Sequence, residues 1–274
     1  GTALLSMYRK CESIEEAENV FISLCQRNVV SWNAIVSTYV SHGKGEKALY
    51  LYVKMQIDGI RPNELTYAMS LQACGLLAEK EESCLHEGRL IKVISLHIGQ
   101  ALHEDLEANG FNSDVIVGTA LLNMYGKCGA IAEAERVFLS LPHKDIVAWN
   151  ALMSAYLEQR EARKALQAYR QIHDKEMSPG QVTFVLALQA CGTLAESGEN
   201  ISQIGQPTLL ISLHIGQALH ADARWKGLAL DMTISNTLVS MYGKCKAIFE
   251  AEYLCGRIQR NIVTWNAMLS TYVD

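Results

Sequence analysis

Apolar residues recur along the chain at the spacing of one face of a helix. In one window they fall at Trp149, Leu152, Met153 and Tyr156, which are three or four residues apart. No window has a sustained alternation of apolar and polar residues, the pattern typical of a half-buried strand. The pattern therefore predicts helices of ordinary length separated by turns.

The chain repeats itself at an offset of 117 residues. The opening segment 1–21, GTALLSMYRKCESIEEAENVF, returns at 118–138 as GTALLNMYGKCGAIAEAERVF, with 15 of 21 positions identical. Turn signals divide the repeated unit into residues 115–145, 146–180 and 181–231, which contain 31, 35 and 51 residues. Each part holds two helix-length patterns, and such a helix pair cannot bury its apolar faces alone. We therefore predict an all-α fold, a right-handed α-solenoid of stacked helix-turn-helix repeats.

Composition narrows the function. The 274 residues are 49% apolar and 19% charged, as in ordinary globular proteins. A net charge of −5 argues against coating nucleic acid through bulk positive charge, so any polyanion must bind locally. The eight cysteines include no C-x-x-C pair, which leaves a zinc ribbon or a redox motif without support. The chain starts at Gly1 without a basic, apolar leader and has no membrane-length apolar stretch, so we expect a soluble fragment of a longer protein.

Several recurring motifs resemble the pentatricopeptide repeat family. They are NVVSWNAIVSTYV, GIRPNELTY, LQACG, GQALH and TALLNMYGKCG. More narrowly, the chain resembles the plant PLS subclass, whose S, P and L motifs match the three parts in order, although the L-type part is 16 residues too long. The resemblance covers essentially the whole chain.

On this resemblance the chain is a single solenoid with an insertion in each L motif, at 79–94 and 196–211. Each insertion lies between the two helices of its motif. The second contains loop-forming glycines and a proline, whereas the first is more charged and is open to a partly helical interpretation. The motifs are S 1–28, P 29–63, L 64–114, S 115–145, P 146–180, L 181–231, S 232–261 and a partial P 262–274.

A protein-binding alternative stays open. The tetratricopeptide repeat is also a helix pair, but its W-x2-L-G-x2-Y signature is absent. Here the repeat tryptophan is followed directly by Asn33, Asn150 or Asn266. The RNA-binding relative is favoured, and a helical-repeat scaffold for a protein partner is the alternative.

The resemblance implies binding of single-stranded RNA, with one base read by each helix pair. In the family, the readers are the fifth and the last residue of a motif. Their carboxamide, hydroxyl and carboxylate groups can donate to or accept from a base edge. The readers carried over to this chain are Thr2 with Asn28, Asn33 with Asn63, Thr119 with Asp145, Asn150 with Gly180, Asn236 with Asn261, and Asn266.

In the family's correspondence, Thr with Asn implies adenine, Thr with Asp implies guanine, and Asn with Asn implies cytosine, with uracil tolerated. The L-type pairs are Ala68 with Asp114 and Val185 with Asp231, and they lack a polar fifth residue. Their bases are left unread. The implied footprint from 5′ to 3′ is A, C, any, G, pyrimidine, any, C, pyrimidine.

Two further motif positions are implied to face RNA. The second residue would flank the bases, although packing at the helix start is equally consistent with its apolar, β-branched character. The thirteenth residue of each S motif is a lysine that would contact a phosphate, and the alternative is a solvated lysine near a helix C-terminus. The flanking residues are Val30, Ile116, Val147, Thr233 and Val263, and the lysines are Lys10, Lys127 and Lys244.

Other recurring residues are interpreted as structural. A tryptophan with a tyrosine seven residues later predicts core packing, and cysteines at two shared repeat positions predict tight helix contacts. We expect His103 and His220 to be packing or surface residues. The aromatic pairs are Trp32 with Tyr39, Trp149 with Tyr156 and Trp265 with Tyr272, and the cysteines are Cys11, Cys74, Cys128, Cys191 and Cys245.

No catalytic signature is present in the sequence. A His-x-Glu followed by paired cysteines is missing, so the zinc deaminase chemistry of C-to-U editing is not in this chain. We expect no enzyme activity, no metal, no cofactor and no membrane partner. The resemblance implies a guide for RNA processing or C-to-U editing in a mitochondrion or chloroplast, with an editing domain or editing factor as a further partner.

Overall fold

A computed structural model describes residue 7 and residues 13–86, 89–112, 114–197, 208–258 and 261–273. Thr2, Lys10 and Cys11 lie outside these residues. Helices form almost all of the regular structure in the described part, so the predicted all-α class is confirmed. The helices are α1 (Ile14–Ser23), α2 (Val29–Ser41), α3 (Gly45–Ile57), α4 (Glu64–Lys80), α5 (Val93–Ala108), α6 (Val115–Cys128), α7 (Ile131–Ser140), α8 (Ile146–Glu158), α9 (Ala162–Asp174), α10 (Gln181–Glu196), α11 (Thr208–Trp225), α12 (Met232–Lys244), α13 (Ile248–Cys255) and α14 (Ile262–Val273).

The first helix of each described motif begins at the residue where the sequence places the start of that motif. A short polar side chain directly before the helix explains most of these starts, because its oxygen accepts a backbone N–H that has no partner within the helix. Gly180, before α10, has no side chain to do this. The capping residues are Asn28, Asn63, Asp114, Asp145, Asp231 and Asn261.

The helices form two compact units, Gly1–Ala155 and Tyr156–Asp274. In the first unit, α4 packs against α5 of its own motif and against the first helices α2 and α6 of the neighbouring motifs. In the second unit, α10 packs in the same way against α11 and α12, and α12 packs against α14. First helices therefore lie beside first helices within each unit. No helix in the described ranges combines the length and apolar character that a membrane span requires.

Tryptophan and cysteine side chains mark the core. The Trp32 ring meets Phe21 edge-on at 4.8 Å between centroids, and Trp149 meets Phe138 in the same way at 4.6 Å. Both tryptophans are buried, as predicted. The prediction is wrong for Trp265 in this structure, where it is 51% exposed because α14 is the last described helix and no later helix covers it. The repeat cysteines are buried at Cys74, Cys128, Cys191 and Cys245.

The first insertion contains a short hairpin. Strands β1 (Cys84–His86) and β2 (Arg89–Ile91) pair antiparallel, with Cys84 opposite Ile91. The sequence leaves a partly helical structure open for this segment, and the two strands at its centre differ from that interpretation. Three-residue strands are too short to produce a visible alternation of polar and apolar positions. The second insertion lies largely outside the described residues.

A carboxylate attaches the first insertion to helix α5. Glu81 accepts hydrogen bonds from the backbone N–H groups of Ile94 and Ser95, at 2.8 and 2.9 Å, and from the Ser95 hydroxyl at 2.6 Å. Desolvation opposes the charge on Glu81, but the hydrogen bonds from Ser95 and Ile94 outweigh it and lower the pKa. Glu81 therefore satisfies N–H groups that the start of α5 would otherwise leave open.

Candidate nucleic-acid interface

A groove of about 630 Å³ lies along α4 and α6 and reaches the start of α8. Its lining includes the predicted readers Thr119 and Asp145, the predicted flanking residues Ile116 and Val147, and the predicted phosphate contact Lys127. The structure thus brings all three kinds of candidate residue for one repeat into one open cavity.

The two readers in this groove have different freedom. The Thr119 hydroxyl donates to the Val115 carbonyl oxygen at 2.8 Å, within its own helix. Asp145 Oδ1 accepts the Ala148 N–H at 2.8 Å and so caps α8. The second carboxylate oxygen of Asp145 takes no part in this cap. An exposed acceptor therefore stands at the mouth of the groove, and the cap fixes its direction.

The readers Asn33 and Asn63 are in direct contact. Asn33 Nδ2 donates to Asn63 Oδ1 at 2.9 Å, and the Thr66 hydroxyl lies 2.7 Å from Asn33 Oδ1. Asn63 Oδ1 also accepts the backbone N–H of Thr66 at 3.1 Å. Because a backbone N–H can only donate, it fixes which end of the Asn63 amide is the oxygen. Asn33 is 6% exposed, so Asn63 is the more accessible member of the pair.

The same arrangement occurs in the second unit. Asn236 Nδ2 lies 3.4 Å from Asn261 Oδ1, and the Thr264 hydroxyl lies 2.6 Å from Asn236 Oδ1. Thr264 N–H donates to Asn261 Oδ1 at 2.8 Å. The contact between a fifth and a last residue is therefore found twice, each time through a threonine.

Sequence reasoning missed these two threonines. Thr66 and Thr264 occupy the third helical position after a capping asparagine, and each hydroxyl accepts the backbone N–H of that asparagine. This reciprocal cap is a known signature of helix starts. The pattern N-x-x-T, which begins at Asn63 and at Asn261, was the signal that could have identified them.

The remaining readers are placed but not paired. Asn28 caps α2 and is exposed, and Asn266 is exposed on α14. Asn150 has a buried side-chain oxygen that lacks a hydrogen-bond partner among the described residues. Its predicted partner is Gly180, which offers no side chain. Thr2, the predicted partner of Asn28, lies outside the described residues.

The predicted flanking residues are exposed. Val30, Ile116, Val147 and Val263 are more than half accessible to solvent, and Thr233 is exposed as well. Packing at the helix start would bury them, so the structure does not support that interpretation. Exposed aliphatic side chains on the first helices offer flat apolar contact to a planar ring.

The two described lysines are each bound by a carboxylate. Lys127 Nζ lies 2.5 Å from Glu79 Oε1, and Lys244 Nζ lies 3.0 Å from Glu196 Oε1. Lys244 lines a groove of about 260 Å³ beside α10 and α12, as Lys127 does beside α4 and α6. Neither lysine is the freely solvated side chain of the alternative interpretation. Sequence reasoning missed the two glutamates, although LAE at 77–79 repeats as LAE at 194–196.

The recurring histidines pack against tyrosines. His103 Nδ1 lies 2.8 Å from the Tyr125 hydroxyl, and His220 Nδ1 lies 3.0 Å from the Tyr242 hydroxyl. Desolvation by burial lowers the pKa of both histidines. These histidines are packing residues, as predicted, and they stand outside the two grooves that hold the lysines.

Family models describe more than half of the chain. A model of the PPR repeat family matches residues 27–75 and 144–193, and a model of the PPR repeat matches residues 2–29 and 119–146. Together the two models match residues 2–75 and 119–193, which are corresponding parts of the two copies of the 117-residue unit.

Curated relatives in Arabidopsis thaliana are similar along the whole chain. A chloroplastic pentatricopeptide repeat-containing protein is 31% identical over 98% of this chain and 29% of its own length. A mitochondrial pentatricopeptide repeat-containing protein is 30% identical over 99% of this chain and 29% of its own length. The chain therefore spans less than a third of the length of these relatives.

A solved structure with the same fold is that of the pentatricopeptide repeat protein PPR10 in complex with an 18-nt psaJ RNA element. The two chains are 19% identical, with a TM-score of 0.53. The matched region covers 99% of this chain and 42% of the PPR10 chain. At this identity the likeness establishes the fold, a solenoid of helical repeats.

Proposed function

The chain belongs to the pentatricopeptide repeat family, and from this premise we propose that it binds single-stranded RNA and reads one base per repeat. The observation that carries the proposal is the groove that holds Thr119, Asp145, Ile116, Val147 and Lys127 together. A nucleotide offers a base edge to polar readers, ring faces to apolar flanking residues and a phosphate to a cation. The groove contains all three kinds of group. That the solved neighbour PPR10 carries an RNA element further supports the proposal.

The pair Asn33 and Asn63 supports a pyrimidine. Since Asn63 Oδ1 is used by Thr66 and Asn33, the Asn63 amide offers its Nδ2 hydrogens to a ligand. Cytosine presents two adjacent acceptors, O2 and N3, on its Watson–Crick edge, and uracil presents O2 and O4. A donor-rich reader suits either base and favours the two neighbouring acceptors of cytosine.

The pair Thr119 and Asp145 supports guanine. The free carboxylate oxygen of Asp145 can accept from guanine N1–H and N2–H, and the Thr119 hydroxyl can rotate away from Val115 to donate to O6. Asn150, whose partner is Gly180, is proposed to accept a pyrimidine with less discrimination because a second reading group is missing.

The finer biological role follows the resemblance to the PLS subclass. We propose that the chain guides processing or C-to-U editing of an organellar transcript, together with an editing domain or editing factor supplied from outside these residues. Relatives named chloroplastic and mitochondrial support an organelle as the location. The catalytic step belongs to the added domain or factor, since RNA guidance needs only binding.

Selection of bound sequences from a randomised single-stranded RNA pool tests the proposal. We expect enrichment of A, C, any, G, pyrimidine, any, C, pyrimidine, read from 5′ to 3′. A variant with Asp145→Ala should lose the preference at the fourth position and keep the others. If no motif is enriched at moderate salt, the proposal is wrong and the helical-repeat scaffold for a protein partner takes its place.

A further inference from the structure

Both described lysines of the candidate phosphate contacts are held by a carboxylate from the preceding L-type helix. Glu79 lies near the end of α4 and Glu196 is the last residue of α10. Their carboxylates are 2.5 Å from Lys127 Nζ and 3.0 Å from Lys244 Nζ. All four side chains are partly exposed, so a solvent ion or a phosphate can reach each ion pair.

A glycine on the same preceding helix allows each lysine to lie across that helix. A Cβ at Gly75 would come within 3.1 Å of Lys127 Cδ, and a Cβ at Gly192 would come within 2.8 Å of Lys244 Cδ. Because glycine has no side chain, the aliphatic part of each lysine can lie across the helix at this position. The ammonium group then reaches the glutamate, which is one helical turn further along the same helix. The glycine therefore directs the ammonium group toward the glutamate.

The whole arrangement occurs twice at the 117-residue offset. Glycine, glutamate and lysine stand at 75, 79 and 127 in the first unit and at 192, 196 and 244 in the second. An incidental surface ion pair needs neither a matching glycine nor a second copy with the same geometry. The glycine and the lysine of each copy also line one of the two grooves described above.

The ion pair changes what the lysine can give to a phosphate. A free lysine that meets RNA releases the cation condensed on a phosphate, and this release drives binding. A lysine already neutralised by a glutamate must first exchange partners, and the freed carboxylate then attracts a cation of its own. The exchange releases few ions in total and leaves a negative carboxylate beside the RNA backbone, where like charges repel.

We propose that Glu79 and Glu196 mask Lys127 and Lys244 and so set how strongly the chain binds the RNA backbone. This inference rests on the proposed function, because it assigns these residues a role in RNA binding. The masking acts on every sequence alike, since phosphates carry no base identity. Discrimination among sequences is thereby left to the fifth and last residues of the motifs.

The test combines Glu79→Gln and Glu196→Gln in one double variant of the 274-residue chain. Its matched control is Glu16→Gln with Glu104→Gln, which changes the net charge equally at exposed glutamates on second helices. Affinity is measured for an RNA of the expected footprint and for a scrambled RNA, at several salt concentrations. Thermal unfolding of every variant confirms that it folds.

We expect the masked-pair variant to bind both RNAs roughly two- to thirty-fold more tightly, the range that two exposed ion pairs span. Its salt dependence should steepen by about 0.7 in slope for each lysine released. The ratio between the two RNAs should stay the same. Adding Lys127→Ala and Lys244→Ala should remove the gain, because no masked cation then remains to be freed.

The outcomes separate the two proposals. If neither the original chain nor the double variant binds RNA, the proposed function is wrong and this inference is wrong with it. If the original chain binds with the expected preference but the double variant behaves like its control, only the inference is overturned. Weaker binding by the double variant also overturns it, because the glutamates would then be orienting the lysines for phosphate.

Discussion

The two long motifs, residues 64–114 and 181–231, build the same helix pair with different interiors. In the first, Asp105 accepts hydrogen bonds from Gln56 Nε2 at 2.9 Å, from the Tyr67 hydroxyl at 3.0 Å and from the Tyr52 hydroxyl. Desolvation, with the neighbouring carboxylate, raises the pKa of both tyrosines, so they remain protonated donors. Asn109 Nδ2 also donates to Asp105, at 3.2 Å. Because Gln56 and Tyr52 belong to the P motif 29–63, this half-buried carboxylate ties the first long motif to the motif before it.

In the second copy of the repeat the corresponding positions hold Asp222, Tyr169 and Phe184. Phe184 is fully buried where Tyr67 is, but it has no hydroxyl to donate. The Tyr169 and Phe184 rings stay 6.2 Å apart, close to the 6.1 Å between Tyr52 and Tyr67. Ring packing is therefore common to both copies, whereas among the described residues the hydrogen-bonded carboxylate is found in the first copy alone.

The surface of the two motifs diverges less than the interior. The glycine, glutamate and lysine beside the groove match in kind and geometry in both copies. The two copies therefore share the exposed ion pair and differ in the hydrogen bonds of the buried side. The comparison supports the proposal that RNA contacts the side of the first helices.

The largest expected effect comes from a substitution that removes the acceptor of the polar network in the first motif. Asp105→Ala leaves the side chains that donate to it without their charged acceptor and should cost about 3 kcal/mol, since one hydrogen bond to a charged group contributes a net of about 1.5 to 3 kcal/mol. Asp222→Ala, in the second motif, should change stability by about 0.5 kcal/mol or less. Urea unfolding of both variants measures this. Equal losses would contradict the asymmetry.

A smaller effect converts the first interior toward the second. Tyr67→Phe keeps the ring and removes one donor to Asp105, so we expect a loss of about 1 to 2 kcal/mol. Tyr169→Phe, which removes a tyrosine hydroxyl from the second copy at the position of Tyr52, is the control and should cost less, because no hydrogen bond joins Tyr169 to Asp222 within the described residues. Unfolding midpoints at one pH decide between the two.

The carboxylate that caps α5 should contribute less again. Glu81→Ala removes the acceptor for the start of α5 and should cost about 1 kcal/mol, whereas Glu82→Ala, at the neighbouring exposed position, should cost little. Because the folded pKa of Glu81 lies below its ordinary value of 4.5, its contribution is present above that pH and is lost as the pH falls. The second motif has Gly198 at the matching position of the sequence. An unchanged acid dependence in Glu81→Ala would contradict this role.

The smallest expected effect concerns the histidines that the two motifs share. Burial holds the folded pKa of His103 and His220 below the ordinary 6.5, so the unfolded chain binds the proton more readily. Stability should therefore be full above pH 6.5 and decline slightly as the pH falls below it. Glu107, 3.5 Å from His103, eases its protonation, whereas Arg224 opposes that of His220. His220→Gln should remove more of the decline than His103→Gln, as midpoints at pH 7 and pH 5.5 would measure.

The sequence could predict the helix starts because turn residues recur at a fixed offset and a short polar side chain precedes every described first helix except α10, which follows Gly180. It could not predict the pairing of Lys127 with Glu79, since the two residues are 48 positions apart and only the packing of α6 on α4 brings them together. It also missed the hairpin Cys84–Ile91, whose strands are too short for a pattern. The divergence between Asp105 and Asp222 was hidden for a related reason, because both are single acidic residues on similar helices.

The contact of Asn33 with Asn63 was implied by family resemblance and not by any local pattern. The structure adds the hydroxyl of Thr66, which holds both amides in place. Trp265 shows where a repeat position fails as a predictor. Its position predicts burial, but it lies on the last described helix and is exposed. A repeat position predicts the neighbours inside a motif better than those between motifs.

The most direct test of base reading is a titration of the original chain and Thr119→Asn against four RNAs that differ only at the fourth footprint position. We expect the original chain to prefer G, and the variant, with asparagine beside the same Asp145, to prefer U. The preferred base should exceed the others by about 1 to 3 kcal/mol, the scale of good base-edge contacts. Other footprint positions should keep their preferences. Equal affinities for all four RNAs in both proteins would contradict the assignment of Thr119 and Asp145 as readers.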